Sequence, residues 1–333
     1  MGEDSAVSLR RCLFFALPLF LSALASSHAF ATGSPVFLYS WGTLGLGNGQ
    51  FDMVAGITVD EGGFVYVADS DHNRIQKFGP DSTFVLDWYY GEPYPTNRLV
   101  GLASDHSGHI YVVDNEGDRV LKFTTNGEYV MEWGTGGVDS GQFYHPTHGA
   151  LDEDGNLWVV DQFSHRVQKF TPDGVYLLEI GGTGVGSGPG QMNFPYGVAA
   201  DGHGFIYVSD QLNQRIQKFQ TDGTYAGSWG SAGSGPGQFQ QPLGIGIDED
   251  GIVYVSDYNN SRVQMFDLGG AYIGEFGTYG AGLGEFYRPR ALAVTGDGTV
   301  FVGDTENQRV SRWGSKITAA SRVSWGEVRR RYR

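Results

Sequence analysis

Three observations predict an all-β chain: six copies of an Asp-to-Arg segment, four short apolar-aromatic runs per copy, and no helical period between residues 35 and 314. Together they define a six-bladed β-propeller of four-stranded antiparallel blades. The copies are Asp69/Arg74, Asp114/Arg119, Asp161/Arg166, Asp210/Arg215, Asp257/Arg262 and Asp304/Arg309. Successive Asp residues lie 45, 47, 49, 47 and 47 positions apart. One four-stranded sheet cannot cover both of its faces, so the copies must stack. Closing six of them radially leaves only short, protected edges.

The fourth copy shows the elements in order. Pro195 to Asp201 is a short apolar strand, Gly202-His203-Gly204 a turn, and Phe205 to Val208 the next strand. Asp210 to Gln214 is a polar loop, Arg215 to Phe219 alternates as a third strand, and Thr221-Asp222-Gly223 turns again. Tyr225 to Trp229 is the fourth strand, and the Gly-rich stretch from Gly230 to Gly237 leads to the next copy. Asp and Arg recur with the frame, so six equivalent carboxylates and six guanidiniums read as scaffold. The Asp accepts N–H groups of its turn. The Arg turns back to it, or toward the neighbouring blade, as a geometry-fixing pair.

The ring is expected to close through its N-terminal strand. Trp41 precedes Asp69 by 28 residues, as Trp133 precedes Asp161 and Trp229 precedes Asp257. Val36 to Gly42 is therefore a fourth strand with no blade in front of it. It completes a last blade built from Ala291–Val294, Thr299–Val302 and Arg309–Trp313. Arg322 to Val328 competes for that place, but its Trp325 lies 12 residues beyond Trp313, where Trp229 lies 10 beyond Phe219.

Segments such as "GVAADGHGFIYVSDQLNQRIQKFQTDGTYAGSWG" and "GITVDEGGFVYVADSDHNRIQKF", with "GPGQF" linkers, resemble the NHL repeat over residues 35 to 314. The linkers are similar to those of exported bacterial-type members. The resemblance implies the six-bladed fold. For function it implies several outcomes: protein-binding sensor, RNA-binding domain, or peptidyl-hydroxyglycine amidating lyase. Function must then be argued from sites.

The ends stand outside the repeat. Residues 1–31 read as a secretory signal peptide: Arg10-Arg11, an almost wholly apolar run from Cys12 to Ala25, then Ala29-Phe30-Ala31. The run is 14 residues, short for a membrane span. Retention of this segment would be the one route to a membrane. The only cysteine lies within it, so the remainder forms no disulfide. The expectation is an exported, monomeric protein, periplasmic or extracellular, with a propeller over 32–314 and a basic, solvated tail over 315–333. The chain carries a formal charge of −15, yet beyond residue 311 there are seven basic residues against one acidic. The propeller body is thus strongly acidic, which argues against nucleic acid as a partner.

Candidate ligand-binding positions are sought where the copies disagree. At the start of the innermost strands, 14 residues before each repeat Asp, stand Ala55, Val100, Thr147, Tyr196, Leu243 and Arg290. One position on stand Gly56, Gly101, His148, Gly197, Gly244 and Ala291. Thr147, His148, Tyr196 and Arg290 are the candidates at the channel mouth. The Asp-to-Arg loops (Ser70–Asn73, Asn115–Asp118, Gln162–His165, Gln211–Gln214, Tyr258–Ser261 and Thr305–Gln308) offer Phe163, Leu212 and Tyr258 as contact anchors.

Catalytic residues are not assigned. The zinc triad implied by amidating lyases needs histidines from several blades. The mouth offers only His148, with His145 nearby, while His72, His106, His109, His165 and His203 fall in turns toward the periphery. A lactonase-like metal site would need acidic groups, and neither mouth ring contains one. Asp152-Glu153-Asp154-Gly155 and Asp248-Glu249-Asp250-Gly251 are calcium-loop fragments without the remaining ligands. Gly186 to Gly190 is a phosphate-cradle pattern with no helix after it. No nucleophile-elbow signature is present. The expectation is a non-catalytic propeller that recognises a protein, peptide or glycan, without a cofactor. The alternative is a metal-dependent lyase or lactonase holding zinc or calcium at the channel mouth.

Overall fold

The computed structural model describes residues 34–89, 99–105, 107–182 and 184–314. The signal-peptide segment 1–31, the tail 315–333 with its competing strand, and His106 lie outside them. The chain divides into two units, 1–32 and 33–333, and the described residues all belong to the second.

Six four-stranded antiparallel sheets succeed one another. Blade 1 is Val54–Val59, Val65–Asp69, Arg74–Phe78 and Phe84–Tyr89. Blade 2 is Leu99–Ser104, His109–Asp114, Arg119–Thr124 and Tyr129–Trp133. Blade 3 is Pro146–Leu151, Leu157–Asp161, Arg166–Phe170 and Tyr176–Gly181. Blade 4 is Pro195–Ala200, Phe205–Asp210, Arg215–Gln220 and Tyr225–Trp229. Blade 5 is Pro242–Ile247, Val253–Asp257, Arg262–Phe266 and Tyr272–Phe276. Blade 6 is Pro289–Val294, Val300–Asp304 and Arg309–Gly314, completed by Val36–Trp41 from the other end of the chain. Phe37 lies opposite Trp313 and Trp41 opposite Val310, so the N-terminal strand closes the ring.

Apolar alternation within each strand serves the gaps between blades. Each of the six gaps holds its own buried cluster. Tyr66, Trp88, Ile110 and Phe123 fill the gap between blades 1 and 2. Phe51, Phe78, Phe301 and Val310 fill the one between blades 6 and 1, with Trp41 packed against them. Each such side chain contributes roughly 1.5–3 kcal/mol by leaving water.

The Asp/Arg pairs hold the connections between blades. Arg166 donates from Nε to Oδ2 of Asp161 at 2.8 Å, and its NH2 group donates to the carbonyls of Asp139 and Gln142, both at 2.9 Å. Oδ1 of Asp161 accepts the Tyr144 N–H at 2.7 Å. The same grip on the incoming linker recurs at Arg74, Arg215, Arg262 and Arg309. In the linkers Phe51, Phe143, Met192, Phe239 and Phe286 are fully buried, which gives the Gln-Phe motif its role. The Phe plugs the core while the backbone of the residue before it is held by the Arg.

The polar loops carry detail absent from the sequence pattern. In blades 1, 4, 5 and 6 they are single 3-10 turns. In all six copies the residue before the repeat Arg is left-handed: Asn73, Asp118, His165, Gln214, Ser261 and Gln308 have φ between 48° and 55°. Strand pairing then sets the faces. Pro146, Pro195, Pro242 and Pro289, which open the inner strands, pair with Asp161, Asp210, Asp257 and Asp304. The mouth positions and the Asp-to-Arg loops therefore share one face of the propeller.

Candidate functional site

The inner strands are stitched together by the residues next to the repeat Asp. Ser209 donates to the Leu243 carbonyl at 2.6 Å, Ser256 to the Arg290 carbonyl at 3.0 Å, and Asn115 to the Pro146 carbonyl at 2.9 Å. Thr147 belongs to this stitching. Its hydroxyl donates to the Tyr196 carbonyl at 2.7 Å and is buried, so it spans two blades instead of facing a ligand. The glycines of the second mouth ring have a steric cause. A Cβ on Gly197 would overlap the Leu243 carbonyl, and one on Gly101 would lie 2.5 Å from the Thr147 carbonyl oxygen.

His148 stands in that ring without such a restriction. It is 6 % exposed and lines a channel cavity of about 240 Å³, together with Leu102, Val198, Ile245 and Leu292. Its ring has no side-chain hydrogen-bond partner among the described residues, only the Val198 backbone beside it. Burial pushes the imidazole down to about 4, so it is neutral at ordinary pH. His148 is thus separated from the other mouth candidates by depth: it lies in the channel.

Tyr196 and Arg290 do come together, across blade 5. The Arg290 guanidinium lies 5.9 Å from the Tyr196 ring and 5.6 Å from that of Tyr258. Tyr196 and Leu243 pack as a small apolar cluster with Tyr258 against it. Burial, opposed by the nearby guanidinium, raises the Tyr196 hydroxyl above its usual range. Arg288 adds a second cation 5.6 Å from the same Tyr258 ring. Its carboxylate partner is Glu306, at 3.5 Å and well exposed.

A second cluster forms where blades 3 and 4 meet. Phe163 contacts Tyr144 at 5.2 Å, His145 at 4.7 Å and Phe194 at 5.2 Å between ring centroids. His165 packs on Phe194 at 4.7 Å, and its Nδ1 accepts the Phe194 N–H at 3.0 Å, which leaves the ring proton on Nε2. His165 is therefore part of this face, where the sequence had placed it toward the periphery. Phe163 is 38 % exposed, Tyr144 47 % and Leu212 43 %. Tyr144, His145, Phe194 and Arg288 stand here without a signal in the repeat pattern, although the latter three precede a proline. His145, Phe194, Gln241 and Arg288 take φ of 54°, 50°, 64° and 60° there. Non-Gly residues in this region are uncommon, and the same left-handed turn recurs before the proline that opens the inner strand in four blades.

Other sequence candidates are absorbed by the scaffold. Asp152 accepts the Asn156 N–H at 2.9 Å, the Trp158 indole N–H at 3.0 Å and an ion pair from Lys169 at 2.9 Å. Asp248 accepts the Ile252 N–H and the Tyr254 hydroxyl. In the glycine run, Gly188 and Gly190 donate to the side chains of Gln191 and Gln217. Ion pairs or hydrogen bonds engage His72, His109 and His203. Among the described residues no group of three His, Cys, Asp or Glu side chains is placed to hold a metal ion. Among them, too, no helix is long and apolar enough to cross a membrane.

The NHL-repeat family matches residues 51–78 and 286–313, and a family described as a 6-bladed beta-propeller (DUF5128) matches residues 200–278. With all six blades in place, the chain is a six-bladed β-propeller that carries NHL repeats at residues 51–78 and 286–313. No curated protein sequence matches it. A solved streptogramin B lyase is similar in fold, with 14 % identity and a TM-score of 0.60 over 83 % of this chain and 97 % of that one. Virginiamycin B lyase from Staphylococcus aureus shows 17 % identity and a TM-score of 0.54 over 81 % of this chain and 86 % of its own. A structural genomics protein of unknown function from Bacteroides thetaiotaomicron VPI-5482 shows 20 % identity and a TM-score of 0.64, over 82 % and 72 %.

Proposed function

We propose that the protein is an exported, non-catalytic binding propeller whose loop face recognises a protein, peptide or glycan. One observation carries this reading. Side chains from blades 3 to 6 present aromatic, apolar and cationic groups on one face, around a mouth closed by Tyr196, Leu243 and Arg290. Partly exposed aromatics beside arginine are the composition of binding hot spots. The export part rests on the apolar run from Cys12 to Ala25.

The test is binding to peptide and glycan arrays by the wild type and by Phe163→Ala, Leu212→Ala and Tyr258→Ala. Val175→Ala, in an exposed hairpin at the opposite end of the blade, serves as control. The expected result is loss of the same ligands in the three loop variants and retention in the control. Binding unchanged by all three removes the assignment of this face.

The lyase or lactonase reading has one observation in its favour, the imidazole of His148 in the channel without a side-chain partner among the described residues. The described side chains do not offer a metal-ligand set, so no metal-dependent step is derived. Stoichiometric zinc or calcium retained by the purified protein after dialysis would reverse the order of the two readings.

A further inference from the structure

Arg290 differs from every other arginine among the described residues. Arg74, Arg119, Arg166, Arg215, Arg262 and Arg309 each pair with the repeat Asp, Arg288 pairs with Glu306, and Arg312 donates to the Tyr39 hydroxyl and the Pro80 carbonyl. Among the described residues Arg290 makes no ion pair and no hydrogen bond to a carbonyl or carboxylate; its Nε, like that of Arg312, is shielded from solvent without a partner, but Arg312 has its Nη donor satisfied by Tyr39 and Pro80. The Tyr196 hydroxyl is also shielded from solvent, with the Arg290 guanidinium as its polar neighbour. Withdrawing a guanidinium from water is costly unless charge and hydrogen bonds replace the lost hydration. The faces of Tyr196 and Tyr258 return part of that, roughly 0.5–2 kcal/mol per contact. Their hydroxyls can engage the guanidinium as neutral partners but bring no negative charge to it.

What is missing is an anion with in-plane acceptors. Nearby carboxylates are committed: Asp257 to Arg262 and Asn260, and Asp304 to Arg309 and Asn307. The anion must then come from outside. A carboxylate matches the planar fork of arginine through two parallel hydrogen bonds. Arg288, sharing the Tyr258 ring, adds positive potential at the same rim of an otherwise acidic protein. Around the mouth, the rings of Phe163, Tyr144 and Phe194 meet edge to face at 85° and 74°. They present ring edges and clefts with Leu212 exposed beyond, a surface for apolar side chains in place of the open flat ring on which a sugar stacks.

We infer that the mouth binds an acidic peptide, with one carboxylate seated on Arg290 between Tyr196 and Tyr258 and apolar side chains on the Phe163 cluster. This rests on the loop face being the binding face and narrows its ligand.

Two measurements on the full chain test it. The first follows the Arg290 Nε–H resonance by NMR, assigned with Arg290→Lys, during titration with small probes. N-acetylglutamate α-amide carries only the side-chain carboxylate, and N-acetylglutamine only the terminal one. A saturable shift with either supports the site and tells which carboxylate is the source. No shift with both overturns it, and a shift with inorganic phosphate alone overturns the carboxylate assignment. The second compares array-selected peptides with their Glu→Gln and Asp→Asn counterparts. The acidic forms are expected to bind about tenfold more tightly to the wild type, and equally well to Arg290→Met and Arg290→Lys. Peptides that bind in a Phe163-dependent manner with no acidic preference would sink this inference and leave the loop-face reading intact. Binding indifferent to Phe163 would instead remove that reading.

Discussion

The Thr305 hydroxyl donates to the carbonyl of Val54 at 3.0 Å, across 251 positions of sequence. This bond ties the last blade to the first on the inner side of the ring, as Val36–Trp41 ties them on the outer side.

Trp41 is the largest side chain bridging the gap, with its ring centroid 5.7 Å from Phe78 and 6.1 Å from Phe301. Trp41→Ala should cost about 3 kcal/mol, measured by urea unfolding. An unfolding midpoint equal to that of the wild type would show that closure does not depend on this strand.

The buried Asp161–Arg166 pair makes a second prediction. Arg166→Met leaves a fully buried carboxylate with the Tyr144 N–H as its main donor and should cost about 3–5 kcal/mol. Adding Asp161→Asn removes the stranded charge, so the double variant should lose less than the sum of the two single ones. Strict additivity would argue against a coupled linker clamp.

His148 sets a pH dependence. Its imidazole is near 4 in the folded chain against 6.5 in the unfolded one, so between these values the unfolded chain binds more protons. Stability is therefore complete above pH 6.5 and falls as the pH drops toward 4. The contribution is about 3 kcal/mol on that scale. His148→Gln should remove this part of the decline, seen as a larger wild-type-minus-variant difference in unfolding free energy at pH 7 than at pH 4.5. The same pH slope in both proteins would mean that the imidazole is hydrated in the folded state.

Much of the fold was legible because repeats are counted, not folded in the mind. The 28-residue spacing placed Trp41 as a closing strand, and the Asp/Arg echo read as scaffold because six equivalent pairs cannot form one active site. Less of the candidate site was legible. Thr147 and His148 are adjacent in sequence, yet one bonds the neighbouring backbone and the other faces the cavity. Phe194 and Arg288 gain their orientation from a left-handed turn before proline, which no periodicity announces.

The sequence by itself determined the number of blades, their strand order and the closing strand, since these follow from local patterns of turn and apolar residues repeated at a fixed interval. Only the tertiary structure decided that Tyr196 and Arg290, 94 positions and one intervening blade apart, meet over the mouth. It alone left the Arg290 guanidinium without a carboxylate partner among the described residues. Whether a partly buried charge is paired depends on what surrounds it in space, and that is set when the ring closes.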